Sequence, residues 1–177
     1  MGEESDLQHA LGECWAAEVS GVAYYQALGD RFPEHRQEFN VLALVERTTS
    51  DLIEAVARRY DVSIDHAAAE RIGVEVAQVG NDWGEVLANA LAYTPETLRM
   101  YENLATVLPE DESVVGQAVV EHEHAQIALF ESAIAGKPYD WSAIDAFLER
   151  HGDRHHARSE SSAGSGPAAP PESNQRA

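Results

Sequence analysis

A short sequence pattern occurs twice in this chain, and this repeat constrains the fold more than any other feature. Residues 25–28 read YQAL and align with residues 101–104, which read YENL, at an offset of 76 residues. The same offset places the dipeptide Pro33-Glu34 on another Pro-Glu dipeptide that begins at Pro109. Matched prolines together with matched tyrosines are hard to obtain by chance, even between alanine-rich helices. We therefore predict that the second half of the chain is a diverged copy of the first.

Each half carries the pattern of two long amphipathic helices. Apolar residues recur at three- and four-residue spacing, which is the core stripe of a helix, and Pro33 and Pro109 separate the two stripes in each half. Pro95 lies inside the third stripe and predicts a kink near Ala92 or a split into two shorter helices. The chain is thus predicted to be all-α, with long helices over residues 6–30, 34–60, 83–108 and 111–135.

The connections between these helices differ in length. Two are short turns, whereas the connection between the second and third helices covers residues 61–82 and contains a predicted short helix over Ser63–Arg71. A plain up-and-down bundle would not need a connection of about 20 residues at this point. Two short turns and one long crossover therefore indicate a four-helix bundle made of two helix pairs.

The C-terminal end divides into a short helix and a tail. The tripeptide GKP at residues 136–138 is typical of the end of a helix, and Asp140 or Ser142 then caps a short helix that ends near Arg150. After it, Ser, Gly, Pro and Ala replace the apolar pattern, which predicts disorder. The predicted organisation is one domain over residues 1–150 and a disordered tail over residues 151–177.

Charge and cysteine content exclude several classes of function. The net charge of −19 disfavours binding to nucleic acid and to anionic membranes. No apolar run approaches the length of a membrane span, and the acidic start of the chain does not resemble a signal peptide, so we expect a cytoplasmic protein. Cys14 is the only cysteine, which excludes an intramolecular disulfide and a thiolate metal site and is typical of a buried small residue.

Each predicted long helix also carries polar residues where its apolar stripe should continue. They are Glu18 in the first helix, Glu46 and Thr49 in the second, Thr94 and Thr97 in the third, and Glu121 and His124 in the fourth. Burial of a carboxylate is costly unless it is paired or binds a cation. Convergence of these residues therefore predicts a metal ion, a shared proton or a charged His124. The alternative is that the glutamates lie on faces wetted by solvent.

Residues 121–124 read EHEH and contain a Glu-x-x-His motif. An offset of 75 residues places Glu46 on Glu121, and the spacing of Glu121 and His124 puts both on one helix face, within reach of one ion. Three carboxylates with one imidazole suit iron, manganese or zinc. We therefore predict metal ligation by Glu18, Glu46, Glu121 and His124, and expect His122 and Glu123 to face solvent or a subunit contact. For His124, a core histidine hydrogen-bonded to a carboxylate is the alternative.

With these motifs the chain resembles the ferritin-like superfamily, and in style the rubrerythrin-type di-iron proteins. The resemblance spans about residues 6–135. In that family the first and third helices each supply a Glu, and the second and fourth each supply Glu-x-x-His. The resemblance therefore implies a ferritin-like four-helix bundle in which Glu18 is the first-helix ligand, Glu46 belongs to the second helix, and Glu121 and His124 belong to the fourth.

Two ligands of the family pattern are replaced in this chain. Thr49 stands where the second helix should have His, and Thr94 stands where the third should have Glu. In the family arrangement these positions serve different irons, so the resemblance implies a degenerate site. Glu96 and Glu102 are the nearest acids on the third helix, but they point about 160° and 80° away from Thr94 at about 100° per residue.

Tyr25, Tyr101, Thr49 and Thr94 are predicted to lie beside the ligands. The two tyrosines would hydrogen-bond the carboxylates or serve redox chemistry, or they are simply core residues. The resemblance implies an iron- or manganese-dependent oxidase, peroxidase or oxygenase that uses a small oxidant such as oxygen or peroxide, in a protein that we expect to form a homodimer. A metal-free ferritin-like structural or stress-related binding protein is the alternative, and iron storage in a cage is a third.

Overall fold

In a computed structural model that describes residues 2–152, the chain is all-α, as predicted. Over these residues it forms six α-helices and no β-strand. Three single-turn 3₁₀ helices occupy the short links at residues 33–35, 58–60 and 110–112. The α-helices are α1 (Glu3–Arg31), α2 (Arg36–Ala57), α3 (His66–Val76), α4 (Trp83–Val107), α5 (Ser113–Ile134) and α6 (Ser142–His151).

Local sequence signals explain where several helices begin and end. Asp65 and Asp82 cap α3 and α4, since each side chain accepts a hydrogen bond from the backbone N–H three residues later. Gly136 follows α5 with φ of 67°, and the backbone N–H groups of Gly136 and Lys137 donate to Ala133 and Ser132. This is the Schellman arrangement, which satisfies the last carbonyls of a helix. The predicted end of the fourth long helix is confirmed.

Two of the predicted elements differ from the structure. The helix of the long connection continues past Arg71 to Val76. Pro95 lies within one continuous helix, α4, so of the two predicted outcomes, a kink or a split, the split does not occur. The side chain of Pro95 is exposed. The predicted tail falls mostly outside the described residues, because the structure ends with α6 and Gly152.

The buried apolar side chains form two separate clusters. The Leu11 cluster contains Leu11, Cys14, Ile53, Val56, Tyr101, Leu104 and Val119, among others. The Phe39 cluster contains Leu28, Phe39, Leu42, Leu87, Leu129 and Phe130, among others. Every one of the four long helices contributes to both clusters. The level of the molecule between the clusters is therefore where the apolar stripes are interrupted.

The order in which each helix meets the clusters gives its direction. The helices α1 and α5 run from the Leu11 cluster to the Phe39 cluster, whereas α2 and α4 run the opposite way. The packed pairs are α1 with α2, α4 with α5, α1 with α4, and α2 with α5. All four packed pairs are therefore antiparallel. The helix α3 returns the chain along α1 before α4 begins.

The two short helices cover opposite parts of this arrangement. At Gly73, α3 lies so close to α1 that an added Cβ atom would overlap the carbonyl oxygen of Ser20. The helix α6 packs on α5 and α2 and buries Ile144 and Phe147 completely. In the part of the chain that the structure describes, no helix combines the length and the apolar character needed to cross a membrane.

Candidate metal centre

A band of buried polar side chains fills the level between the two apolar clusters. Glu18 follows Cys14 of the Leu11 cluster by one turn, and Glu46 follows Leu42 of the Phe39 cluster by one turn. The band therefore receives its polar groups at matching heights from different helices. Its members are Glu18, Glu46, Thr49, Thr94, His122, Glu123 and Gln126, with the buried rings of Tyr25 and Tyr101 beside them.

Glu18 and His122 form the deepest pair in this band. Neither side chain has any exposed surface, and His122 Nε2 lies 3.5 Å from Glu18 Oε1. Within residues 2–152, both carboxylate oxygens of Glu18 and both ring nitrogens of His122 lack a well-formed hydrogen bond, although Tyr101 lies near Glu18 and the backbone of Val119 and Ala118 lies near His122. Buried polar atoms are nearly always satisfied in folded proteins, so four such atoms in one place call for an explanation.

Glu46 is held in a different way, by hydrogen bonds from the protein. The side-chain amide of Gln126 donates to Glu46 Oε1, and the hydroxyl of Tyr25 donates to Gln126 Oε1 over 2.6 Å. Gly21 on α1 leaves the space that this carboxylate occupies, because a Cβ atom there would overlap Glu46 Oε2. The hydrogen bonds from Tyr25 to Gln126 and from Gln126 to Glu46 thus hold the Glu46 carboxylate toward the centre of the band.

Glu18, Glu46 and His122 bring three ligand atoms close together. One ligand atom from each lies within 4.8 Å of the other two. Ligands bound to one ion at about 2.1 Å are at most about 4.2 Å apart, so small side-chain movements would complete the site. The group could therefore hold a metal ion. Glu123 borders it, since its Oε2 atom lies 3.9 Å from His122 Nε2.

Burial shifts every titratable group in the band toward its neutral form. It raises the pKa of Glu18 well above the usual range, and the nearby carboxylate of Glu46 raises it further. Burial also raises the pKa of Glu46 to about 7 and that of Glu123 to about 8. For His122 burial lowers the pKa to about 3. Without a cation, the band is therefore stable mainly in its neutral state.

Aromatic rings and α6 shield His122 from solvent. The ring of Tyr101 lies edge-on to the His122 ring at a centroid distance of 5.0 Å, and the ring of Phe147 lies at 6.0 Å on another side. Burial raises the pKa values of Tyr101 and Tyr25 well above the usual range, so both hydroxyls stay protonated. The hydroxyl of Tyr101 is therefore available as a hydrogen-bond donor to Glu18, whereas that of Tyr25 already donates to Gln126.

No family model, curated protein or solved structure matches this chain.

The structure corrects the predicted contribution of the fourth long helix. Glu121 lies outside the band, where it forms an ion pair with Arg150 and lies 3.6 Å from His151 of α6. His124 is exposed. His122 and Glu123, which were expected to face solvent or a subunit contact, are buried instead. The prediction that Glu121 and His124 belong to the central cluster is therefore wrong.

The cause is the rotation of α5 about its axis. Its large apolar residues include Val119, Leu129 and Phe130, and all three are buried. The face that carries them also carries His122, three residues after Val119 and seven before Leu129. This spacing was the signal that could have identified His122. The prediction instead used the alignment of Glu46 with Glu121, whereas burial pairs Glu46 with Glu123 at an offset of 77.

Most of the other residues that were predicted to form or border the site are buried. Glu18, Glu46, Tyr25 and Tyr101 are buried in the band, as expected. Thr49 and Thr94 are also buried, but each hydroxyl donates to a carbonyl of its own helix, at Val45 and Ala90 respectively. Glu96 and Glu102 are exposed, so neither replaces the missing carboxylate of the third long helix. Gln126, which sequence reasoning missed, is the partner of both Tyr25 and Glu46.

Proposed function

We propose that this chain is a ferritin-like metal-binding protein that holds one iron or manganese ion between Glu18, Glu46 and His122. The single observation that carries the proposal is the set of unsatisfied atoms on Glu18 and His122. A metal ion would accept a lone pair from each side chain and would compensate the burial of the carboxylates. Glu123 is the fourth side chain close enough to join such a site.

The donor types support iron or manganese. Carboxylate oxygens are hard ligands and imidazole suits first-row transition metals, so their combination is typical of these two ions. One ion is favoured over two because the side chains are too few. Thr49, Thr94 and Gln126 occupy positions at which the ferritin-like pattern would place further ligands.

The helix directions support the ferritin-like part of the proposal. In α1, α2, α4 and α5, all packed neighbours are antiparallel, and a long connection carrying α3 separates the two pairs. One long crossover between two helix hairpins is the connectivity of ferritin-like bundles. The buried positions of Tyr25 and Tyr101, related by the offset of 76, agree with a duplicated helix pair.

The activity that this site supports best is the reduction of a small oxidant such as oxygen or peroxide. Bound iron or manganese would supply the redox chemistry, with electrons from a separate donor. The protein's own part is to orient the ligands and to offer protons. Tyr101 lies close enough to Glu18 for its hydroxyl to stabilise the ionised carboxylate. Tyr25 orients Glu46 through Gln126.

One observation favours the metal-free alternative. Glu46 already receives a hydrogen bond from Gln126, so this carboxylate is satisfied without a cation. In that case Glu18, Glu46 and Glu123 would share protons, and the protein would act as a structural or stress-related binding module. The two functions differ in whether the band takes up an ion with defined stoichiometry.

The metal content of the purified protein distinguishes the metal-binding function from the metal-free alternative. The untagged protein is purified, incubated with Fe(II) or Mn(II), desalted and analysed by mass spectrometry of the metal. We expect about one ion per chain in the parent, and less than about a tenth of that in His122→Ala and Glu46→Ala. Glu121→Ala and His124→Ala are matched controls on the same helix and should keep the parent's content. A parent without metal, or controls that lose it equally, would contradict the proposal.

A further inference from the structure

A cavity of about 540 Å³ leads from the surface into the polar band. Residues of α1, α3 and α4 line its outer part, and Glu46, Tyr101, Glu123 and Gln126 line its inner end. Its volume lies within the range of about 300–1,000 Å³ that is typical of small-molecule sites. The buried carboxyl groups are therefore reachable by a molecule larger than oxygen or peroxide.

The mouth of this cavity is apolar and exposed. Ile72 and Val76 of α3, Val79 of the following turn, and Tyr93 of α4 line it, and these side chains are 41–60 % exposed. They make up half of the eight large apolar side chains that are exposed within residues 2–152. Such a concentration of exposed apolar side chains marks a binding surface rather than ordinary surface.

The polar side chains that line the outer part of the cavity, which include Ser20 and Asn89, carry no charge. Thr94 and Thr97 also line it, and their hydroxyls donate to the carbonyls of Ala90 and Tyr93 over 3.2 Å. Among residues 2–152, no lysine or arginine lines the cavity, and its only carboxyl groups are those of Glu46 and Glu123 at the inner end. An anionic ligand would therefore find no counter-charge from these side chains, in a protein of net charge −19.

The geometry points to a binding site for a neutral, predominantly apolar organic molecule. Its apolar part contacts Ile72, Val76 and Tyr93, and its polar end reaches Glu46 and Glu123. The metal site lies at the same inner end of the cavity. A role for this molecule as the substrate of the metal site therefore rests on the proposed function. Its binding does not require the metal, since the contacts at the mouth come from the protein alone.

Binding is measured with Nile red, a neutral dye whose emission shifts to shorter wavelength in an apolar site. The full chain is titrated with and without prior loading with Mn(II). We expect saturable binding of about one dye per chain. In the metal-free protein decanol should displace the dye, whereas decanoate should be about tenfold weaker or worse, because its carboxylate finds no cationic side chain in the cavity.

Variants at the mouth and on the wall of the cavity test whether the dye binds there. The double variant Ile72→Gln/Val76→Gln removes apolar contacts at the mouth and should weaken dye binding about tenfold or more. The matched control is Val114→Gln/Ile134→Gln, because these residues are similarly exposed but do not line the cavity. Thr97→Trp fills the cavity from α4 and should abolish binding, while circular dichroism confirms that the helices are retained.

The outcomes separate this inference from the proposed function. Dye binding without metal uptake would contradict the metal site alone, and metal uptake without saturable dye binding would overturn the cavity proposal alone. Equal displacement by decanoate, or equal losses in the control, would also overturn it. So would dye binding that falls as the chain dimerises at higher concentration, because the exposed mouth would then belong to a second copy.

Discussion

His122 Nε2 lies 3.5 Å from Glu18 Oε1, and both side chains are completely buried. The two residues come from α1 and α5, which run in the same direction without being among the main packed pairs. Both therefore extend toward the centre of the helices, where neither finds a well-formed hydrogen bond among the described residues. A cation between them would satisfy both, and this arrangement leads to the predictions that follow.

Glu18→Gln should stabilise the metal-free protein and prevent metal uptake. At pH 8 the folded parent must carry a buried charge or take up a proton, because burial holds the pKa of Glu18 well above its usual range. Glutamine has nearly the same shape and does not ionise, so the free energy of unfolding should rise by about 1–3 kcal/mol. Urea titration followed by circular dichroism measures it.

The gain should disappear near pH 4, where Glu18 is protonated in both the folded and the unfolded state. Glu102→Gln, at an exposed position on α4, is the control and should change stability by less than about 0.5 kcal/mol. A Glu18→Gln protein that is less stable than the parent at pH 8 would contradict the prediction.

The metal-free protein should lose stability as the pH rises from 6.5 to 8. Burial raises the pKa values of Glu46 and Glu123 from 4.5 to about 7 and about 8, so the folded state binds more protons than the unfolded state in this window. The free energy of unfolding should fall by about 1–3 kcal/mol across it. Burial lowers the pKa of His122 from 6.5 to about 3. Its titration therefore lowers the free energy of unfolding mainly below pH 6.5, outside this window.

Loading with metal should reverse this trend. The ligands must be deprotonated to bind an ion, so the stabilisation by Mn(II) should grow with pH over the same window. Chemical denaturation at matched pH, with and without Mn(II), measures the difference. A stabilisation that is independent of pH would place the ion away from the buried carboxylates.

Gly21→Ala should destabilise the protein, although alanine is the better helix former. The added methyl group would overlap the carboxylate of Glu46 and displace it from Gln126, at a cost of about 1–3 kcal/mol. Gly12→Ala on the same helix is the control. Its Cβ atom would meet only Val62 Cγ1 at an ordinary 3.7 Å, so a gain of about 0.5–1 kcal/mol is expected.

A double-mutant cycle tests the cause. In a Glu46→Ala background, Gly21→Ala should lose its cost, since the overlapping carboxylate is absent. If Gly21→Ala stays equally costly there, the overlap with Glu46 is not the reason.

Tyr25→Phe should cost about 1–2 kcal/mol, because Gln126 Oε1 would lose its buried donor. Tyr93→Phe removes a hydroxyl from a residue that is mostly exposed and should stay within about 0.5 kcal/mol of the parent. The melting temperatures of both variants measure the contrast. Equal effects would mean that the hydroxyl of Tyr25 contributes nothing to the band.

Much of the secondary structure could be predicted because its signals are local. The break at Pro33 and the Gly136 helix end each act on neighbouring backbone groups, and each is found in the structure. The burial of Glu18 and Glu46 was also predicted, since each interrupts the apolar stripe of its own helix.

The contribution of α5 was not predictable in the same way. Its residues are small or apolar on several sides, so the stripe alone left its rotation open. The repeat was then used to choose a face, and a two-residue error in offset turns a helix by about 200°. Glu121 and His124 were therefore chosen in place of His122 and Glu123.

The sequence by itself determined an all-α chain, the ends of most of its helices and the buried carboxylates of α1 and α2. Only the tertiary structure decided that His122 meets Glu18 and that Gln126 holds Glu46. It also decided that a cavity leads from an apolar mouth to Glu46 and Glu123. The physical reason is that caps and stripes depend on residues within one or two turns. The rotation of α5 instead depends on how Val119, Leu129 and Phe130 pack against three other helices at once.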